Sequence, residues 1–116
     1  LLMTLEFKSK MQSELFDKIM HKMNVTKFDR YYSSMALLWS ATYKDELLNC
    51  VDQGVKLDKV KEVIKPYTNG EKSLIRFGLQ CFNEHMDNIT LPEVLESLDE
   101  KNREIVKQAL RIRYNI

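Results

Sequence analysis

Phe28-Asp29-Arg30-Tyr31-Tyr32-Ser33-Ser34-Met35-Ala36-Leu37-Leu38-Trp39-Ser40-Ala41-Thr42 is the stretch on which the fold turns. Phe28, Tyr31, Tyr32, Met35, Leu38 and Trp39 recur at spacings of three and four, the period of one helical face. The spacing predicts a helix over residues 27–42. No other part of the chain is as aromatic, which places this helix at the centre of the core. Trp39 is expected to be buried among Phe28, Tyr32, Met35 and a later helix at 74–82. Thr26, with Asp29 three residues on, is the expected cap.

Upstream, Met11, Leu15, Ile19 and Met23 recur every fourth residue, with Phe16 and Met20 beside them, so one apolar stripe runs along a helix from Ser9 to Met23. Asn24 is its stop. Downstream, a short helix is expected from Asp45 to Val51, ending near Gly54. Leu57, Val60 and Ile64 fit a helix, but the valines also fit a strand, so one short β-pair near 57–67 stays open. Thr68-Asn69-Gly70-Glu71 and Thr90-Leu91-Pro92-Glu93 both have the form of a capping box. The first opens a helix to about His85 and the second a short helix to about Leu98. Asp99 caps a last helix reaching Tyr114. Gly78, inside a helix, costs roughly 1 kcal/mol relative to Ala and marks the close approach of another helix. The expected fold is therefore all-α, a compact bundle of five to seven helices.

The chain has 116 residues, three glycines and two prolines, with no repeat, low-complexity stretch or linker, so one helical domain is expected over 1–116. A chain of this size exposes roughly 6,600 Å² folded against about 20,000 Å² unfolded, enough burial for one core without staples. Hydrophobic residues make up 44% and charged residues 30%, a balance that excludes a disordered chain. No apolar run approaches the roughly 18 residues that span a bilayer, so no membrane partner is expected. The net charge of +1 argues against bulk-charge binding of nucleic acid. Two cysteines without close spacing point to a reducing, cytoplasmic setting. Met3 reads as a natural start preceded by Leu1 and Leu2, with no signal peptide after it. Without one, Asn24-Val25-Thr26 and Asn88-Ile89-Thr90 are expected to stay unglycosylated.

Few residues here carry chemistry. Cys81 and His85 are four apart, but zinc wants three or four ligands, and no second ligand-spaced pair exists. The same two residues lack an oxyanion hole, and no phosphate loop or nucleophile elbow occurs. No catalytic residue, metal or cofactor is expected. Arg76 and Asn83 are seven apart on one helix, where a polar network with Glu93 or Glu96 that fixes helix packing is the first reading and a recognition spot for a partner or ligand the second. Arg103, Lys107 and Arg111 form a basic stripe on the last helix, with Glu100 and Glu104 interleaved, which favours a solvated face over a phosphate-binding one. The methionines of the first helix read as core.

Thr68-Asn69-Gly70, Arg76-Phe77-Gly78-Leu79-Gln80-Cys81-Phe82-Asn83, Thr90-Leu91-Pro92-Glu93-Val94-Leu95 and Ala109-Leu110-Arg111-Ile112-Arg113-Tyr114 carry a resemblance. Across 66–114 the chain resembles a family of small proteins of unknown function from low-GC Gram-positive bacteria and their phages, with Tyr67 where that family often has tryptophan. The resemblance implies an intracellular protein encoded by a phage or mobile element, and it supplies no activity. Together these readings predict a non-enzymatic protein–protein interaction module, an accessory or inhibitor protein whose unidentified partner is another protein or a second copy. Its expected contact residues are Arg76, Asn83, Arg103, Lys107 and Arg111. The alternatives are a nucleic-acid-binding regulator using the C-terminal basic helix and, behind it, an enzyme of unrecognised type.

Overall fold

The computed structural model describes residues 4–116, and among them the regular structure is all helix apart from one isolated β-bridge between Val51 and Val55. The expected start at Met3, after Leu1 and Leu2, lies outside the described residues. The elements are α1 (Lys10–Met23), α2 (Arg30–Ser40), a 3₁₀ helix (Asp45–Cys50), α3 (Leu57–Val63), α4 (Asn69–Phe82), α5 (Leu91–Glu96) and α6 (Glu100–Tyr114). One hydrophobic core draws residues from every one of them, and the exposed area of 6728 Å² is what a compact chain of this length leaves to water. Among the described residues no helix is long and apolar enough to cross a membrane.

The helix α2 is the axis of the bundle, with α4, α6 and α1 packed around it. From Ser33 to Thr42 every residue is buried, so this part of α2 has no wet face. Its hydroxyl residues tolerate this because they bond back to the preceding turn. Ser34 Oγ donates to Arg30 O (2.7 Å), Ser40 Oγ to Leu37 O (3.0 Å) and Thr42 Oγ1 to Trp39 O (2.7 Å). Small self-satisfied residues stand among Met35, Leu37, Leu38 and Trp39, so the helix packs on all sides. Trp39 is fully buried, as its position predicts, and its indole N–H donates to Ile75 O of α4 at 3.1 Å. Gly78 is where α4 meets that ring. A Cβ there would lie 2.6 Å from Trp39 Cδ1 and 2.7 Å from Nε1.

Local signals set most boundaries. Ser9 caps α1 by accepting from Gln12 N, and Asn24 ends it at φ 58°. Both predicted capping boxes form in full, at Thr68/Glu71 and Thr90/Glu93, and Asp99 caps α6.

Several expectations are corrected. The segment at 57–67 forms no β-pair: α3 occupies Leu57–Val63, with Val60 in the core, Leu57, Val63 and Ile64 packed against it, and Asp58, Lys59, Lys61 and Glu62 in water. Asp29, not Thr26, caps α2, its carboxylate accepting from the N–H groups of Tyr31 and Tyr32 at 3.0 Å each. The helix therefore starts at Arg30, and Phe28 sits on the preceding turn, 61% exposed instead of packed on Trp39. Tyr31 and Met11 also lie on the surface. The helix α4 stops at Phe82, before His85.

The Trp39–Gly78 contact yields a test with a sign. Helix propensity alone makes Gly78→Ala stabilising by about 1 kcal/mol. The indole cannot retreat, since it is buried and hydrogen-bonded, so overpacking wins and the net loss should be about 1–3 kcal/mol in urea unfolding. At Gly54 nothing lies within 4 Å of where a Cβ would stand, and Gly54→Ala should be neutral or stabilising by up to about 1 kcal/mol.

Candidate functional site

The residues singled out from sequence lie in different places. Arg76 is half-buried and bound to Asp87, Nε to both carboxylate oxygens (3.1 and 3.0 Å) and Nη2 to Oδ1 (3.0 Å). These hydrogen bonds hold its pKa above the ordinary value. Asp87 Oδ1 also accepts from Ile89 N, and Gln80 Nε2 donates to the carbonyls of Asp87 and Ile89. Arg76 thus pins the turn between α4 and α5. The expected Arg76–Asn83 network is not formed, because α4 ends at Phe82 and Asn83 becomes its exposed cap, accepting from His85 N at 3.0 Å. Glu93 still faces Arg76 across a shallow cleft that Glu96 also lines, but Asp87 holds the guanidinium.

The basic stripe is exposed, with local partners for two of its members. Arg103 Nε donates to Leu95 O at 2.9 Å, and Lys107 is paired with Glu104 at 2.9 Å. Arg111 is exposed and lines an open cleft of about 380 Å³ beside Phe7, Lys101, Glu104 and Ile105. That cleft borders an extended strap, residues 4–9, which is itself tied down. The Gln108 amide pairs with both the N–H and the carbonyl of Glu6, and Lys8 Nζ donates to Ala41 O and Asn102 Oδ1. Gln12, fully buried, joins strap to core by accepting from Lys8 N and donating to Leu37 O. Nothing in the spacing of Gln12 sets it apart from its apolar neighbours.

Cys81 and His85 do not share a helix face. Cys81 is buried inside α4, and burial pushes its thiol up to about 12 despite the opposing influence of the nearby Arg113 and Ser34. His85 is exposed on the turn after α4. Burial also raises the Cys50 thiol, against weaker pulls from Lys59 and Lys56.

The arrangement that stands out lies where three helices of the core end. Arg113, in the last turn of α6, places its guanidinium 4.3 Å from the ring centre of Tyr31, at the start of α2, and 4.8 Å from that of Tyr114. Its Nε donates to Cys81 O, in the last turn of α4, at 2.7 Å. That bond satisfies a helix-terminal carbonyl and sets a cation at the negative end of α4. Tyr32 and Phe82 meet edge to face at 4.9 Å, joining the same ends of α2 and α4. Tyr31, Tyr114 and Phe28 are all exposed, and Lys27 lies over the Phe28 ring at 5.9 Å. Spacing leaves Arg113 outside the stripe of Arg103, Lys107 and Arg111 and assigns Tyr31 to the core. Their meeting is tertiary and leaves no local mark.

Comparison of the chain with family models, with curated proteins and with solved structures gave no match in any of the three.

Both thiols should resist modification in the folded protein. At about pH 8 Ellman's reagent is expected to titrate neither Cys50 nor Cys81 until denaturant is added, since only the thiolate reacts and burial disfavours it. Rapid native-state labelling of Cys81 would place it at a surface instead.

Proposed function

We propose that this chain is a non-enzymatic protein–protein interaction module, cytoplasmic, and of a kind with the small Gram-positive and phage proteins that residues 66–114 resemble. One observation carries the reading: Tyr31, Arg113 and Tyr114 form a fixed aromatic–arginine–aromatic stack on the surface, with Phe28 exposed on the turn leading into α2. Tyrosine and arginine dominate the energetic centres of protein interfaces, because rigid rings and a planar cation bury much area at little entropic cost. The interior does not need these rings exposed. The nucleic-acid alternative keeps an exposed stripe of Arg103, Lys107 and Arg111, with Glu104 paired to Lys107 within it. Bases can also stack on the same tyrosines.

A photo-crosslinking amino acid at Phe28 or Tyr114 should trap a discrete protein, another or a second copy, in cells of the source organism. Control positions Met11 and Lys61, exposed elsewhere, should not. Affinity for the trapped protein should fall at least about tenfold in Tyr31→Ala and Tyr114→Ala, and stay within about twofold in Lys107→Glu/Arg111→Glu. No adduct above the controls would sink this reading. Tight oligonucleotide binding at about 150 mM salt, lost in the double reversal, would put the regulator in its place.

A further inference from the structure

We propose that Arg113 is a preorganised carboxylate receptor, and that the docking face receives an acidic segment of a partner protein in which Asp or Glu stands beside an aromatic or aliphatic side chain. The proposal rests on the interaction reading above and gives it a chemistry. A guanidinium carries five N–H donors in a fixed plane. Among the described residues, the protein's own use of that fork at Arg113 is a single bond, Nε to Cys81 O. Both Nη groups have donors left over, and no Asp or Glu among the described residues forms an ion pair with them, in contrast to Arg76, which Asp87 holds with three contacts.

The Nη edge is also fixed in space. The guanidinium lies over the rings of Tyr31 and Tyr114, and its Nε is anchored on the Cys81 carbonyl. A cation on a free side chain loses rotamer entropy on binding, whereas this one is already ordered before a ligand arrives. The terminal Nη pair matches a carboxylate in bidentate geometry, and the exposed ring surfaces offer apolar contact at its sides.

Charge complementarity selects the sign of the partner. Lys27 and Arg30, at the approach to α2, are exposed and with Arg113 outnumber the one carboxylate in that stretch, Asp29, which caps α2.

The test uses the whole chain and a random dodecapeptide phage library, selected on the wild type and counter-selected on Arg113→Gln. Enriched peptides should carry Asp or Glu next to an aromatic or aliphatic residue. By fluorescence polarisation their synthetic forms should lose at least about tenfold in affinity to Arg113→Gln and to Glu→Gln or Asp→Asn in the peptide. Arg113→Lys, which keeps charge but not the fork, should recover only part of that loss. Because Arg113→Gln also removes the Cys81 bond, the wild type is read independently: its Arg113 Nε–H and the ring signals of Tyr31 and Tyr114 should shift on titration with the acidic peptide and not with its amide counterpart. Selected peptides without acidic residues, or affinity unchanged in Arg113→Gln, would overturn the receptor. If those peptides still crosslink at Tyr114, the docking face survives and only the carboxylate assignment falls. Tighter, Arg113-dependent binding of a twelve-residue oligothymidylate would overturn it in favour of phosphate.

Discussion

Trp39 and Gly78 occupy what amounts to one position, and the bundle is arranged around that fact. The indole is the largest fully buried side chain, its N–H is committed to Ile75 O, and no side chain other than hydrogen fits between it and α4. The distance and rotation of α4 against α2 are thereby set. The rest of α2 is buried as well, its serines and alanine beside Met35, Leu37, Leu38 and Trp39. A helix buried on every side must also hide its polar groups, and the hydroxyls of Ser34, Ser40 and Thr42 do so by bonding to carbonyls of α2 itself.

Burying the middle of α2 leaves its first turn as the place where it reaches water. Asp29 and Tyr31 sit there, and the ends of α4 and α6 arrive at the same corner because both helices run against α2. Helix C-termini carry unsatisfied carbonyls and partial negative charge. Arg113 answers both helices at once, being in the last turn of α6 and bonded to the last turn of α4. The aromatic–arginine corner is thus a consequence of how three helices terminate around a common axis.

The parts of this fold that are legible in the sequence are those decided within a few residues. The boxes at Thr68/Glu71 and Thr90/Glu93, the cap at Asp99 and the stop at Asn24 each depend on one side chain and one nearby N–H or on a single left-handed residue. Periodicity locates the core stripe and Trp39, and Gly78 announces a close helix contact. Periodicity gives direction and not depth, which is why it puts Met11, Phe28 and Tyr31 inside although the bundle ends before it covers them. Thr26 and Asp29 are both good caps, and only the path of the turn chooses between them. The candidate functional residues are least legible of all: Arg76 finds Asp87 across a turn, and Arg113 finds Tyr31 across most of the chain.

The contrast between those two arginines separates a structural cation from an available one. Arg76 spends its guanidinium on one carboxylate, and that carboxylate also holds the backbone of the turn, so removing the pair would loosen α5 from α4. Arg113 spends one N–H on one carbonyl. Its structural duty as a helix-end cap needs only Nε and the positive charge, and leaves the Nη edge unused. A lysine or an unstacked arginine could neutralise the end of α4 as well, but neither would hold a planar donor pair against two exposed tyrosine rings. Capping therefore accounts for the charge at this corner, and the stack accounts for its orientation, which is the property a binding surface requires.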